Sequence, residues 1–459
     1  MPQSSRWDLT RRGFLRVGGS SLLGFGFSPL LAGQARGASS GRARSVVIVF
    51  LTGGPSQLET FDLKPQAPAE IRGESQPIAT ATPGVHICEH LPQLAQRTGK
   101  LAIVRTMAHR ELNHLLATHE ILTGRPTPNP RGGSDLDRQQ SREDFPNYAA
   151  ALNYLRPRAG GIPSGVSLPN YLIEGPLTWP GQHAGFLGVR YDPWQINQDP
   201  NDANFRVDSI TLGEGVTPQR LDARRELLGG IEEVRTDGLG PSAARDFADQ
   251  QEIAFSLLTS GRVSQAFDIQ REPEQVRERY GRNKLGQSLL LARRLVEAGV
   301  PMVEASMGIV QTWDTHVDNW GRLKNTLLPQ LDAGVSALLD DLSASGLLDE
   351  TLVIVTGEFG RTPTVSTLPG QTIPGRDHWA ATYSAVFAGA GVRGGQVIGQ
   401  SDAQAAYPLT RTYSPGDLCT TIFDALGVEL DAEIHDRLGR PVRLCNGDVI
   451  DALYSGAGT

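Results

Sequence analysis

The sequence has few cysteines, no surplus of positive charge, no internal repeat and no apolar run long enough for a good spanning helix. Cys88, Cys419 and Cys445 cannot build a disulfide framework, because one is left over whichever two pair. No CxxC occurs, which argues against thiolate zinc and dithiol redox chemistry. Three buried thiols is the plainer expectation, with a single Cys419–Cys445 bridge as the alternative in an oxidising compartment. The formal charge of −7 argues against nucleic acid or an anionic membrane as the main partner. An anionic substrate then needs a local positive site, such as a metal ion.

The 459 residues, 39% hydrophobic and 20% charged, suit one large soluble domain with insertions. The first residues are different in kind. Thr10-Arg11-Arg12-Gly13-Phe14-Leu15-Arg16 has the form of a twin-arginine signal, followed by a weakly apolar, glycine-rich stretch from Val17 to Ala32. A spanning helix needs roughly 20 consecutive apolar residues, so this stretch is a poor anchor. We expect residues 1–38 to be a leader, cut after Ala35 or Ala38, that hands the folded chain to the twin-arginine translocase. The mature protein would be periplasmic or extracellular, without a stable membrane anchor. It would carry 38 Lys+Arg against 49 Asp+Glu, net −11.

Beyond the leader, Ser45 to Leu51 is a β-branched, apolar run expected of a strand buried on both faces. The turn after it, Thr52 to Ser56, is a natural site wall at a strand's carboxyl end, with Ser56 placed for substrate. Leu101–Arg105 predicts a second strand, and Asn113 an N-cap for a helix running to Leu122. Residues 127–240 read as a loop-rich insertion or cap. Helices follow at about 242–260 and 285–298, then a strand at Met302–Ser306. From Leu323 to Leu342 the leucines trace one helical face, with Gly346 placed to stop it. Strands at Thr351–Thr356 and Ala385–Ala388 complete the pattern. The fold class is α/β: a doubly wound, mostly parallel sheet with helices on both faces.

Three loops beside these strands carry metal-ligand chemistry: Trp313-Asp314-Thr315-His316, Gly357-Glu358-Phe359-Gly360-Arg361 and Gly375-Arg376-Asp377-His378-Trp379. Carboxylate and neutral imidazole suit zinc, manganese or a mixed divalent site. Arg361, Arg376 and Arg105 are placed to grip an anion bidentately. Each residue also has a structural reading: Asp314 as a helix cap, and His378 as a hydrogen-bonded histidine beside Trp379.

These segments resemble the alkaline phosphatase and sulfatase superfamily. The run "LLDDLSASGLLDETLVIVTGEFG" looks like the helix, connection and strand before its late metal-ligand pair. "THEILTGRP", "SPGDLCTTIFDALGV" and "LGRPV" are similar to its post-nucleophile segment, C-terminal helix and closing turn. More closely, "GGPSQLETFD", "GEFGRTP" and "GRDHW" resemble the exported bacterial family 1501 of domains of unknown function, over essentially all of residues 45–445. The resemblance implies an alkaline phosphatase-like fold and a divalent ion (zinc, manganese, calcium or magnesium) held by Asp and His. It places Glu358 and His378 at the late ligands and Asp314 with His316 at the earlier pair.

The usual first-strand acid is replaced by Thr52-Gly53-Gly54, leaving Asp62 as the nearest acid for the metal. No Cys-x-Pro-x-Arg supplies a formylglycine nucleophile. His114 and Thr118 stand near the nucleophile's place, four apart on one helix face, as a base and hydroxyl pair would. The expected function is metal-dependent hydrolysis of phosphate or sulfate esters, with polysaccharide esters among the candidate substrates. The alternatives are a non-catalytic secreted metal- or carbohydrate-binding protein and a metal-dependent mutase or transferase.

Overall fold

The computed structural model describes residues 41–128, 139–158, 162–207, 261–308 and 312–456, with isolated positions 220, 223 and 227. The expected leader at 1–38 and the expected helix at 242–260 lie outside the described residues. Eight strands form one sheet: β1 (Ser45–Phe50), β2 (Leu101–Met107), β3 (Val166–Leu168), β4 (Trp194–Gln195), β5 (Met302–Ser306), β6 (Thr351–Thr356), β7 (Tyr383–Ala388) and β8 (Gln396–Ile398). Their order is β8-β2-β7-β6-β1-β5-β3-β4, and only β7 runs against the rest.

β1 alternates faces because successive side chains of a strand point oppositely. Val47 and Val49 enter one core, while Val46, Ile48 and Phe50 enter the other. Helices α3 (Lys284–Glu297) and α4 (Leu328–Ala344) cover the first face. The second is covered by α1 (His114–Thr123), α2 (Tyr148–Leu155) and α5 (Pro415–Ala425). Each fully buried Val, Ile or Phe here contributes about 1.5–3 kcal/mol, which makes the central strands the rigid base of the molecule. The doubly wound, mostly parallel architecture is therefore observed.

Two details differ from expectation. The 127–240 region is not only loop: it supplies α2, the edge strand β4 and its neighbour β3. The helix expected from Leu323 opens with a π turn, Leu323–Leu327, before α4 begins. Among the described residues, no helix is long and apolar enough to cross a membrane.

Strands β6, β1 and β5 lie side by side in parallel, with Thr356, Phe50 and Ser306 level at their carboxyl ends. The loops beyond them carry Glu358, Gly53 and Asp314. Gly53 is needed there: its φ is +109°, and a Cβ would fall 2.6 Å from the Asp314 backbone nitrogen. The glycine lets the first and fifth strands' loops touch.

Candidate metal centre

His114 opens α1, whose N-cap Asn113 accepts hydrogen bonds from the Leu115 and Leu116 backbone N–H groups. Its ring packs between Phe359, at 4.7 Å, and the buried Trp179, at 5.7 Å. Trp179 comes from the 127–240 region, so that region does shape the site. His378 lies in the two-residue strand His378–Trp379, paired antiparallel with Gly360–Arg361. The loop before it crosses His316 closely, since a Cβ on Gly375 would meet the His316 carbonyl carbon at 2.2 Å.

These elements bring three imidazoles onto one carboxylate oxygen. Asp314 Oδ1 lies 3.0 Å from His316 Nε2, 3.3 Å from His378 Nε2 and 3.4 Å from His114 Nε2. His316 Nε2 and His378 Nε2 are themselves only 2.9 Å apart. Ligand atoms of His114, Asp314 and His378 all lie within 4.8 Å of one another.

The other ring nitrogens explain the arrangement. His114 Nδ1 donates to Glu358 Oε1 at 2.6 Å, His316 Nδ1 to Asp377 Oδ1 at 2.7 Å, and His378 Nδ1 to the Leu112 carbonyl at 2.8 Å. With each Nδ1 proton assigned by its acceptor, each neutral ring turns an Nε2 lone pair toward Asp314. Outer partners of this kind orient ligand histidines in metal sites. Three lone pairs and a carboxylate facing one point repel unless a cation or protons lie between them. The donor set fits a divalent ion, and the buried His114 Nε2 without a hydrogen bond is the observation that favours it.

The titration shifts describe the same competition with the site metal-free. Burial pulls the His114 imidazole down, but Asp314 and Glu358 outweigh it and push it up to about 9. Burial also disfavours charge on Asp314, yet His114, His316, His378 and Arg361 hold its carboxyl far below the usual carboxylate range. Asp314 raises the His316 imidazole against its burial, whereas burial lowers His378. Protons thus occupy part of the place a cation would take.

Asp314, His316 and His378 are brought together. His114, expected as a catalytic base, joins them as a candidate ligand. Glu358, expected as a ligand, stands behind His114: its Oε1 accepts from His114 and, at 2.8 Å, from the Gly53 backbone N–H. Thr118 is fully buried and its hydroxyl makes no hydrogen bond, so His114 and Thr118 do not form an accessible base–hydroxyl pair.

The arginine expectations are corrected. Arg361 is fully buried, with Nη2 2.5 Å from Asp314 Oδ1 and other N–H groups on the carbonyls of Gly53, Gly54 and Arg376. It positions Asp314 and has no surface to offer a substrate. Arg376 is fully buried on Glu59 and three backbone carbonyls. Ser56 is spent on the same Glu59. Arg105 donates to the Phe61 carbonyl and faces Asp62 at 3.4 Å. Asp62, expected near the metal, is instead a buried counter-charge for Lys64 at 3.0 Å and a partner of Ser401. Asp377 and the Leu112 carbonyl are orienting groups that were not expected from the sequence. An acid directly before a candidate ligand histidine was the available signal for Asp377.

The fold and site define an α/β protein with a histidine–aspartate cluster at the carboxyl edge of its sheet. Residues 43–454 match the family described as "Protein of unknown function (DUF1501)", and the chain belongs to that family. No curated protein matches it. Among solved structures, i-CgsB in complex with k-i-k-neocarrahexaose is similar at 10% identity and TM-score 0.40, over 84% of this chain and 72% of that one. A protein in the alkaline phosphatase superfamily from Vibrio parahaemolyticus gives 11% identity and TM-score 0.38, over 85% and 68%. Alkaline phosphatase from the Antarctic bacterium TAB5 gives 12% identity and TM-score 0.35, over 85% and 99%. Likenesses this remote carry no weight for chemistry.

Proposed function

We propose that the chain is an exported, metal-dependent hydrolase of phosphate or sulfate esters, such as those on anionic polysaccharides. One observation carries the reading: three histidine Nε2 atoms converge on Asp314 Oδ1 while Glu358, Asp377 and Leu112 hold every Nδ1. An imidazole-rich set favours zinc over manganese, calcium or magnesium. A divalent ion bound there would supply Lewis acidity to an ester oxygen and lower the pKa of a coordinated water.

The chain's own residues have separable tasks in this reading. His114, His316, His378 and Asp314 bind; Glu358, Asp377 and Arg361 orient. Trp179 and Phe359 keep water from one side of His114. The buried Arg361 and Arg376 are committed to carbonyls and carboxylates, so the positive charge facing an anion would come from an ion held by His114, His316, His378 and Asp314. Export by the twin-arginine route suits a protein that acquires its metal while folding in the cytoplasm, and Arg11→Lys with Arg12→Lys should strand the precursor there.

The test is turnover of aryl phosphate and aryl sulfate by purified, metal-loaded protein. Activity that disappears in Asp314→Ala and His378→Ala supports the hydrolase. A protein that binds metal but turns over neither ester is instead the metal- or carbohydrate-binding alternative. The burial of Arg361 and Arg376 away from solvent, with Arg105 engaged by Asp62, is the observation favouring that second reading.

A further inference from the structure

None of the three cysteines takes part in the metal centre, yet two of them meet. Cys419 lies on α5, whose N-terminus is fixed by a capping box between Ser414 and Asp417. Cys445 follows the C-terminal ribbon formed by Glu433–His435 and Pro441–Arg443. Their Sγ atoms lie 4.0 Å apart, both are free thiols, and both are buried. Cys88 sits in the core on the opposite face of the sheet. Pairing is therefore selective by position.

The Cys445 segment lies along α5 and is tied to it by polar contacts. The Asp448 backbone N–H donates to Asp417 Oδ1 at 2.7 Å, and that of Ile450 to Thr421 Oγ1 at 3.0 Å. Arg443 and Asn446, on either side of the buried Leu444 and Cys445, are exposed. The sulfur is thus one short segment away from solvent. Cys419 is held firmly on its other side, since a Cβ on Gly124 at the end of α1 would fall 2.2 Å from Cys419 Cβ.

We propose that Cys419 and Cys445 form an oxidative cross-linking site, closing to a disulfide that ties the C-terminal segment to α5. A disulfide holds its sulfurs at about 2.05 Å, so the pair must approach by about 2 Å. The oxidant is a protein or small-molecule disulfide. Cys445 thiolate attacks one of its sulfurs, forming a mixed disulfide and releasing one thiol. Cys419, deprotonated, then attacks the Cys445 sulfur; the chain's S–S bond forms and the second thiol leaves. The chain loses two electrons and two protons, and the external disulfide gains them. The hydrogen bond with Cys419 and the charges of Arg125 and Arg443 lower the Cys445 thiol against its burial, making it the first nucleophile. The bridge closes a sequence separation of 26 residues and stiffens α5 under α1, the helix that begins at His114.

The test uses full-length protein purified under reducing conditions, then treated with oxidised glutathione, denatured and alkylated without reductant. The expected result is one peptide linking Cys419 to Cys445, with the mass of two hydrogen atoms lost and Cys88 alkylated. The unfolding midpoint should rise by a few degrees over the reduced protein, with no such rise in Cys445→Ser. Alkylation of both Cys419 and Cys445 after oxidation, a bridge to Cys88, or a glutathione adduct that never resolves would overturn the proposal. None of these outcomes depends on the metal reading.

Discussion

His316 Nε2 and His378 Nε2 face each other at 2.9 Å, while their Nδ1 atoms donate in opposite directions, to Asp377 and to the Leu112 carbonyl. Two neutral imidazoles so anchored cannot donate to each other. The contact is stable only with a proton or a metal ion between the rings. Most of what can be measured follows from that choice.

Ligands and their supports should separate by magnitude. Asp314→Ala and His378→Ala remove candidate donor atoms and should abolish tight zinc binding. Glu358→Gln keeps the fold but weakens the hold on His114 Nδ1, and outer partners of this kind are worth 10–100-fold, as an order of magnitude, in metal affinity. Calorimetric titration with zinc would show it; an unchanged affinity in Glu358→Gln would remove Glu358 from the centre.

Metal binding should release protons near neutral pH. His114 is pushed up to about 9 in the metal-free protein, so it is mostly protonated at pH 7 and must lose that proton to coordinate. Apparent affinity should therefore rise with pH until about 9. The same shift makes metal-free stability highest below the unfolded histidine value of roughly 6.5 and lower as pH climbs through about 9. Titrations in buffers of different ionisation enthalpy measure the released protons, and zero release would contradict this proton competition.

A second titration lies outside the metal cluster. Burial pushes the β5 carboxyl Glu304 up to about 7, against a lowering hydrogen bond from Ser306. Between roughly pH 4.5 and 7 the folded chain holds a proton that the unfolded chain releases. Stability from this group is therefore lost as pH rises through that window and stays lost above it. Glu304→Gln should remove the slope and stabilise the protein at pH 8 by up to about 3 kcal/mol, read by denaturant unfolding. A variant less stable than wild type at pH 8 would contradict the shift.

Gly53→Ala tests the seam between the loops. The new Cβ would meet the Asp314 backbone at 2.6 Å from a residue with φ +109°. We expect a loss of about 1–3 kcal/mol in stability, together with weaker metal binding as Asp314 is displaced. Unchanged thermal unfolding and metal titration would show that the loops yield.

The central strands were legible because unbroken β-branched runs such as Ser45–Phe50 mark strands covered on both faces. β3 and β4, of three and two residues, are too short to show any period, and their region read as loop. Asp314, His316 and His378 were visible as polar residues in loops beside strands. The direction of a ring was not: nothing in the spacing of His114 says that its Nε2 faces Asp314 and its Nδ1 faces Glu358. Nor does sequence distinguish an arginine gripping a substrate from one like Arg376, gripping Glu59 and backbone carbonyls. That depends on which loops meet, which is tertiary information.

The most direct measurement is the anomalous difference density of crystals grown from protein equilibrated with zinc. A peak bounded by His114, His316, His378 and Asp314, absent in Asp314→Ala crystals, is the predicted result. Density showing those four side chains with water alone, or zinc bound only elsewhere, would contradict a metal centre at this edge of the sheet.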